Sequence, residues 1–256
     1  TKMVAQIIIL ESIENKKIKW DDVVTVSKNA SDMGGSQIYL APNEQMKVED
    51  LFKSMVIASA NDAAVVLAEK VSGTENNFVN RMNYIAKSLG CYNTNFINCT
   101  GLPTANHYTT CYDMGLIACN LLKNYEDIVI KYSSMYESYV RTNTPNPFWL
   151  VNTNKLLGDY EGMDGLKTGY TQEAGYCLTA TSNRNNLRLI AVTMNAKTIK
   201  ERSNDIKSLL NYGYSNYKSV KVFSKDKRFM SLSFNNSKNE VDNIYIKDDI
   251  YITLPI

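Results

Sequence analysis

The apolar residues of this chain keep two different periods, and the point where one gives way to the other limits the folds open to it. As far as Leu121 they recur every three to four positions. Val4, Ile7, Ile8 and the residues from Glu11 onward predict an amphipathic helix running to about Asn15, with Lys2 in its first turn. Val48, Leu51, Phe52, Met55 and Ala58 predict a second helix that leads directly into Ser59. A third follows, with Asp62 as its cap and Ala64, Leu67 and Val71 as its apolar stripe. Phe78, Met82, Ile85 and Leu89 mark a fourth, closed by Gly90, and Met114, Ile117 and Leu121 a fifth. Between the first two, Asp21–Val26 reads as a short strand, and Asn29–Pro42 as a loop broken at Gly34-Gly35.

Further on, the pattern turns to β. Gly175–Ser182 and Asn186–Met194 form an antiparallel hairpin around the polar turn Asn183-Arg184-Asn185, and Lys167-Thr168-Gly169 belongs on a neighbouring strand. Ile206, Leu209 and Leu210 give a late helix. Val220/Val222, Ile244/Ile246 and Ile250/Ile252 alternate, as at the start of a second, all-β domain. Helices followed by a helix-flanked hairpin sheet predict an α+β fold with an antiparallel sheet. The apolar run Leu187–Val192 would be an exposed edge in a three-stranded sheet, so strands upstream of Thr1 are expected to complete it.

The 256 residues suffice for one large domain, or one domain with a small appendage. Apolar residues at 44% and charged ones at 21% describe a globular chain. A net charge of +2 gives no electrostatic case for nucleic acid. The longest apolar run near the start, Ile7-Ile8-Ile9-Leu10, is far short of a membrane span. Cys91, Cys99, Cys111, Cys119 and Cys177 have no C-x-x-C spacing, and His107 is the only histidine, so a metal site is poorly supported. These cysteines read as small buried residues with room for one disulfide, and His107 as a loop residue.

Three short signatures carry the chemistry: Lys2 on the first helix, Ser59-Ala60-Asn61 at a helix junction, and Lys167-Thr168-Gly169 on a strand. Together with their flanks they resemble the low-molecular-mass penicillin-binding proteins, specifically the type-5 D-alanyl-D-alanine carboxypeptidases of the peptidase S11 family. Thr1-Lys2-Met3 is similar to the tail of that family's Ser-x-Thr-Lys-Met. Ser59-Ala60-Asn61-Asp62-Ala63-Ala64 matches its second signature. The stretches Asn98–Leu102 and Tyr108–Met114, Asn152-Thr153-Asn154-Lys155-Leu156-Leu157, and Gly162 through Leu178 continue the match. The likeness covers about residues 1–217, and 218–256 is similar to the beginning of the family's β-rich C-terminal domain. The implied fold is the penicillin-binding/β-lactamase-like transpeptidase fold, a helix-flanked antiparallel sheet with a helical subdomain.

What the resemblance implies is a serine acyl-transfer enzyme that trims the terminal D-alanine from peptidoglycan stem pentapeptides and is acylated by penicillins. Its nucleophilic Ser is expected three residues before Lys2, ahead of Thr1, so the sequence reads as a fragment or processed form. Amide cleavage through an acyl-enzyme needs an activated hydroxyl, a proton shuttle and an oxyanion site. Lys2 is expected to act as base, its pKa lowered by burial and by Lys167 as a second cation. Ser59 is expected to relay a proton to the leaving amine, and Asn61 to bond Lys2 or the substrate amide. Lys167 and Thr168 would read the terminal carboxylate, Gly169 would leave room for the substrate backbone, and Tyr170 would lend its N–H to the oxyanion site. Arg202 falls near a position where relatives carry an Arg, but reads more simply as a solvated helix residue. No metal or organic cofactor is implied. The activity implies an extracytoplasmic bacterial protein, anchored by a segment outside this chain. The competing readings are a class A-like β-lactamase, for which no Glu-x-x-x-Asn pattern is found, and a cell-wall-binding homologue that has lost catalysis.

Overall fold

A computed structural model describes residues 1–233 and 241–256. Its centre is the helix α1 (Lys2–Glu14), on which Met3 through Leu10 are all buried. The sequence predicts an amphipathic helix here. The structure corrects this: α1 is apolar on every side because every side is covered, by α3 (Val48–Ile57), α4 (Asn61–Ser72), α5 (Glu75–Ser88) and α6 (Cys111–Ser133). Burial also takes in Gln6 and Ser12, and Ser12 returns its hydroxyl to the Ile8 carbonyl at 2.7 Å. α6 is long and kinks at Tyr125 (φ −138°, ψ 29°), so that its second half reaches the sheet.

That sheet is β5 (Met163–Thr171), β6 (Gly175–Arg184) and β7 (Leu187–Ala196), antiparallel throughout and in that order. The hairpin turn sits two residues later than the sequence suggests, on Asn185 and Asn186, both with positive φ (50° and 60°). Two consecutive left-handed residues match the twist of the flanking strands, and Asn tolerates the conformation better than most. One face of the sheet meets the helical bundle through Ile190, Val192 and Met194. The other meets α7 (Ile199–Asn216) through Leu178, Ala180 and Ala191, against Ile206 and Leu210. Leu209 points outward, 48% exposed, contrary to the apolar stripe expected of it. β5 and β7 are the two edges, and neither pairs with a further strand among the described residues.

Several short elements, the expected strand at 23–25 and the alternating strands after residue 216 apart, carry too little periodicity to be read from sequence. α2 (Lys28–Ser31) overlaps the start of the segment expected to be loop. β1 (Val23–Thr25) pairs with β2 (Gln45–Lys47), and β3 (Glu137–Val140) with β4 (Phe148–Val151). After α7, β8 (Tyr217–Phe223) pairs with β11 (Ile250–Pro255), and β9 (Arg228–Ser233) with β10 (Val241–Tyr245). All five cysteines are free; Cys91 and Cys99 are buried, but Cys111 and Cys119 are exposed, against the expectation of small core residues. No helix among the described residues is long and apolar enough to cross a membrane.

Candidate active site

Lys2, in the first turn of α1, is drawn into the protein until it is only 7% exposed. Its Nζ donates to Asn61 Oδ1 at 2.6 Å and to the Thr100 carbonyl at 2.7 Å. Burial brings it down to about 8, although Asp62 pulls the other way. Asn61 has no freedom to leave this pairing. Its Nδ2 donates to the Gly34 carbonyl at 2.7 Å, and its backbone N–H to the Ser36 carbonyl at 2.7 Å. Gly35, at φ +76°, is what permits so close an approach: a Cβ there would lie 2.8 Å from Asn61 Nδ2.

Ser59 occupies the tight link between α3 and α4 with φ +63°, a left-handed conformation that a helix exit usually assigns to Gly. The Ala60 N–H then returns to the Ser54 carbonyl. Asp62 is not the cap of α4 that the sequence suggests, since it lies inside the first turn. Its buried carboxylate accepts the N–H groups of Ile38 (3.0 Å), Leu40 (3.1 Å) and Ala63 (2.8 Å), lashing the 34–44 loop to α4.

From the other side comes β5. Lys167 pairs in register with Thr179 and projects toward the bundle, 8% exposed. Burial, then the charges of Lys2 and Arg202, hold it well below the usual lysine range. The expected burial is the main cause at Lys2, and the repulsion between the two buried amines is an interaction they share. Thr168 Oγ1 lies 2.6 Å from Thr153 Oγ1. Gly169 and Tyr170 are exposed, with the Tyr170 ring 4.4 Å from that of Tyr176. Nothing of the protein's own packing requires glycine at 169, because the nearest atom to a Cβ there is Cys177 Cβ at 3.8 Å.

Arg202 contradicts the solvated reading. It is 4% exposed, and its Nε has no hydrogen-bond partner among the described residues. Its charge is one of those that lower Lys167. His107 is structural. Its Nδ1 accepts from the Ile97 N–H, so its proton sits on Nε2, which donates to Thr1 Oγ1 at 2.8 Å. Burial holds its pKa below the usual histidine value, which keeps it neutral.

Sequence reasoning gave Thr100, Gly35 and Thr153 no part in the site. The Gly-Gly pair and the Asn-Thr-Asn run were visible signals. The acceptor at Thr100 is a backbone carbonyl, for which no side-chain signal exists.

This architecture recurs among penicillin-binding proteins. Penicillin-binding protein 5 of Haemophilus influenzae superposes with a TM-score of 0.82 at 31% identity, over 99% of this chain and 74% of that one. Penicillin-binding protein D2 of Listeria monocytogenes, solved in its cefotaxime-bound form, gives 0.74 at 30% identity, over 83% of this chain and 85% of that one. D-alanyl-D-alanine carboxypeptidase DacF of Bacillus subtilis is 43% identical over 98% of this chain, which spans 64% of DacF's length. The model of the D-alanyl-D-alanine carboxypeptidase family, peptidase S11, matches residues 1–198. The chain belongs to that family.

Proposed function

We propose that this protein is a serine D-Ala-D-Ala carboxypeptidase that removes the terminal D-alanine from peptidoglycan stem peptides, outside the cytoplasm of a bacterium. The observation that carries the reading is Lys2: a buried amine brought to about 8, locked to Asn61, on the helix face where a Ser three residues earlier would stand. In this mechanism the Ser hydroxyl gives its proton to neutral Lys2 as its oxygen attacks the penultimate carbonyl. The oxyanion is held by the Ser and Tyr170 N–H groups, and Ser59 passes a proton to the departing D-alanine amine. Water then cleaves the ester and restores the Ser.

The substrate backbone lies along the free edge of β5 as an added strand, over Gly169, which explains a glycine that the protein's own packing does not need. Its terminal carboxylate meets Lys167, the Thr168 hydroxyl and Arg202, whose vacant Nε gives it a stronger claim than the sequence allowed. Penicillins enter by the same route; similarity to a protein solved with cefotaxime bound supports this. Residues 1–217 form the peptidase unit in this reading, and 218–256 begin a β-rich appendage.

The test is intact mass spectrometry of the full-length protein with benzylpenicillin, alongside D-alanine release from a D-Ala-D-Ala peptide. A long-lived stoichiometric adduct on the Ser before Lys2, with D-alanine released, supports the carboxypeptidase. Rapid loss of the drug without an adduct would indicate a β-lactamase. Neither adduct nor turnover would leave a cell-wall-binding homologue.

A further inference from the structure

The run Asn152-Thr153-Asn154 is built as a clamp. Asn152 is buried, and its Nδ2 donates to the Ser133 and Met135 carbonyls at 3.0 and 2.8 Å. Asn154 is buried too; its Nδ2 donates to the Gly165 carbonyl on β5 at 3.1 Å, and its Oδ1 accepts the Leu156 N–H. Asn152 Oδ1 accepts the Asn154 N–H at 2.9 Å, which closes the unit. Two inward Asn side chains thus fix the backbone on either side of Thr153. The part-buried residue between them is aimed at one atom, Thr168 Oγ1, at 2.6 Å.

Thr168 has one hydroxyl proton. Given to Thr153, that proton is lost to any ligand. With Thr153 donating instead, the Thr168 proton is free to point at an anion, and donation into its oxygen strengthens the bond it makes. Resting on the reading above, in which Thr168 meets the substrate carboxylate, we propose that Thr153 is a positioning residue that sets the Thr168 hydroxyl as a donor and so contributes to selectivity for free-acid peptide ends.

The experiment compares T153V, T153S, T168V and the T153V/T168V double variant in the full-length protein. Each acts on a D-Ala-D-Ala peptide with a free carboxylate and on the same peptide as its C-terminal amide. T153V is expected to lower kcat/KM for the free acid three- to tenfold, chiefly through KM, the effect of one neutral hydrogen bond. It should leave the amide within twofold. T153S should restore the wild-type value, and the double variant should match T168V, since Thr153 acts only through Thr168. An equal loss on acid and amide, or additive losses in the double variant, would reduce Thr153 to a structural residue and overturn the proposal. If T168V discriminates acid from amide but T153V does not, the positioning role alone fails. If T168V treats both alike, the carboxylate role of Thr168 falls and this inference with it, while penicillin acylation reports separately on the acyl-enzyme chemistry.

Discussion

Lys2 holds a free amine at the cost of solvation. A lysine accepts a proton only when neutral, and burial brings that condition to about pH 8. Below this value the neutral fraction falls tenfold per unit. The acylation rate with benzylpenicillin is therefore expected to climb from pH 6 and level off above about 8; a flat profile across that range would remove Lys2 as the base. Arg202 makes the opposite trade, a charge kept indoors with nothing bonded at Nε. Arg202→Met is expected to raise the KM for free-acid peptide about tenfold or more while stabilising the fold by about 1 kcal/mol, because it removes an uncompensated buried charge. Steady-state kinetics and thermal denaturation of the same variant check both halves. Nothing in the sequence around Arg202 announces this burial: Lys200 and Glu201 beside it are exposed, and only the packing of α7 on the sheet turns one of these polar residues inward.

At the level of elements, the link between α3 and α4 is the most demanding piece of backbone. Asn61 fits only because Gly35 has no side chain, so Gly35→Ala is expected to cost about 1–2 kcal/mol of stability and to slow acylation by displacing Asn61. Melting temperature and acylation rate would be measured together; a rate unchanged in a destabilised protein would argue against Asn61 as part of the machinery. In the β6–β7 hairpin, Asn186→Gly is expected to stabilise by about 0.5 kcal/mol, since both turn residues have positive φ and Asn-Gly suits that turn better. A thermal melt checks it. Elements with long, strong periodicity were legible: α3, α5, β6 and β7 lie where the spacing of apolar residues puts them. β1 lies within the strand expected at Asp21–Val26, but β2, β3 and β4 were less legible, because they take their order from pairing partners distant in sequence. α1 was legible as a helix but not in its role, for total burial removes the polar face by which amphipathicity is judged.

Across the whole molecule, the proposed site is assembled at a seam: the helical bundle supplies Lys2, Ser59 and Asn61, and the sheet supplies Lys167, Thr168 and, through α7, Arg202. The residue types were readable in order along the chain, but their convergence depends on α6, whose bend at Tyr125 carries the bundle onto the sheet. The described strands after residue 217 pair with one another and supply none of these residues. Ending the full-length protein after residue 217 is therefore expected to leave the rate of penicillin acylation within twofold, measured by adduct formation over time; a collapse of that rate would make the appendage part of the working enzyme.

The free edge of β5 has a consequence outside enzymology. An edge strand with no partner strand among the described residues is sticky toward any other extended chain, including the same strand of a neighbouring molecule. The feature that would let the strand receive a substrate thus also makes it a liability in concentrated solution. An occupant of the groove acts there as a cap, so this protein should store and crystallise more readily with its cleft filled than empty.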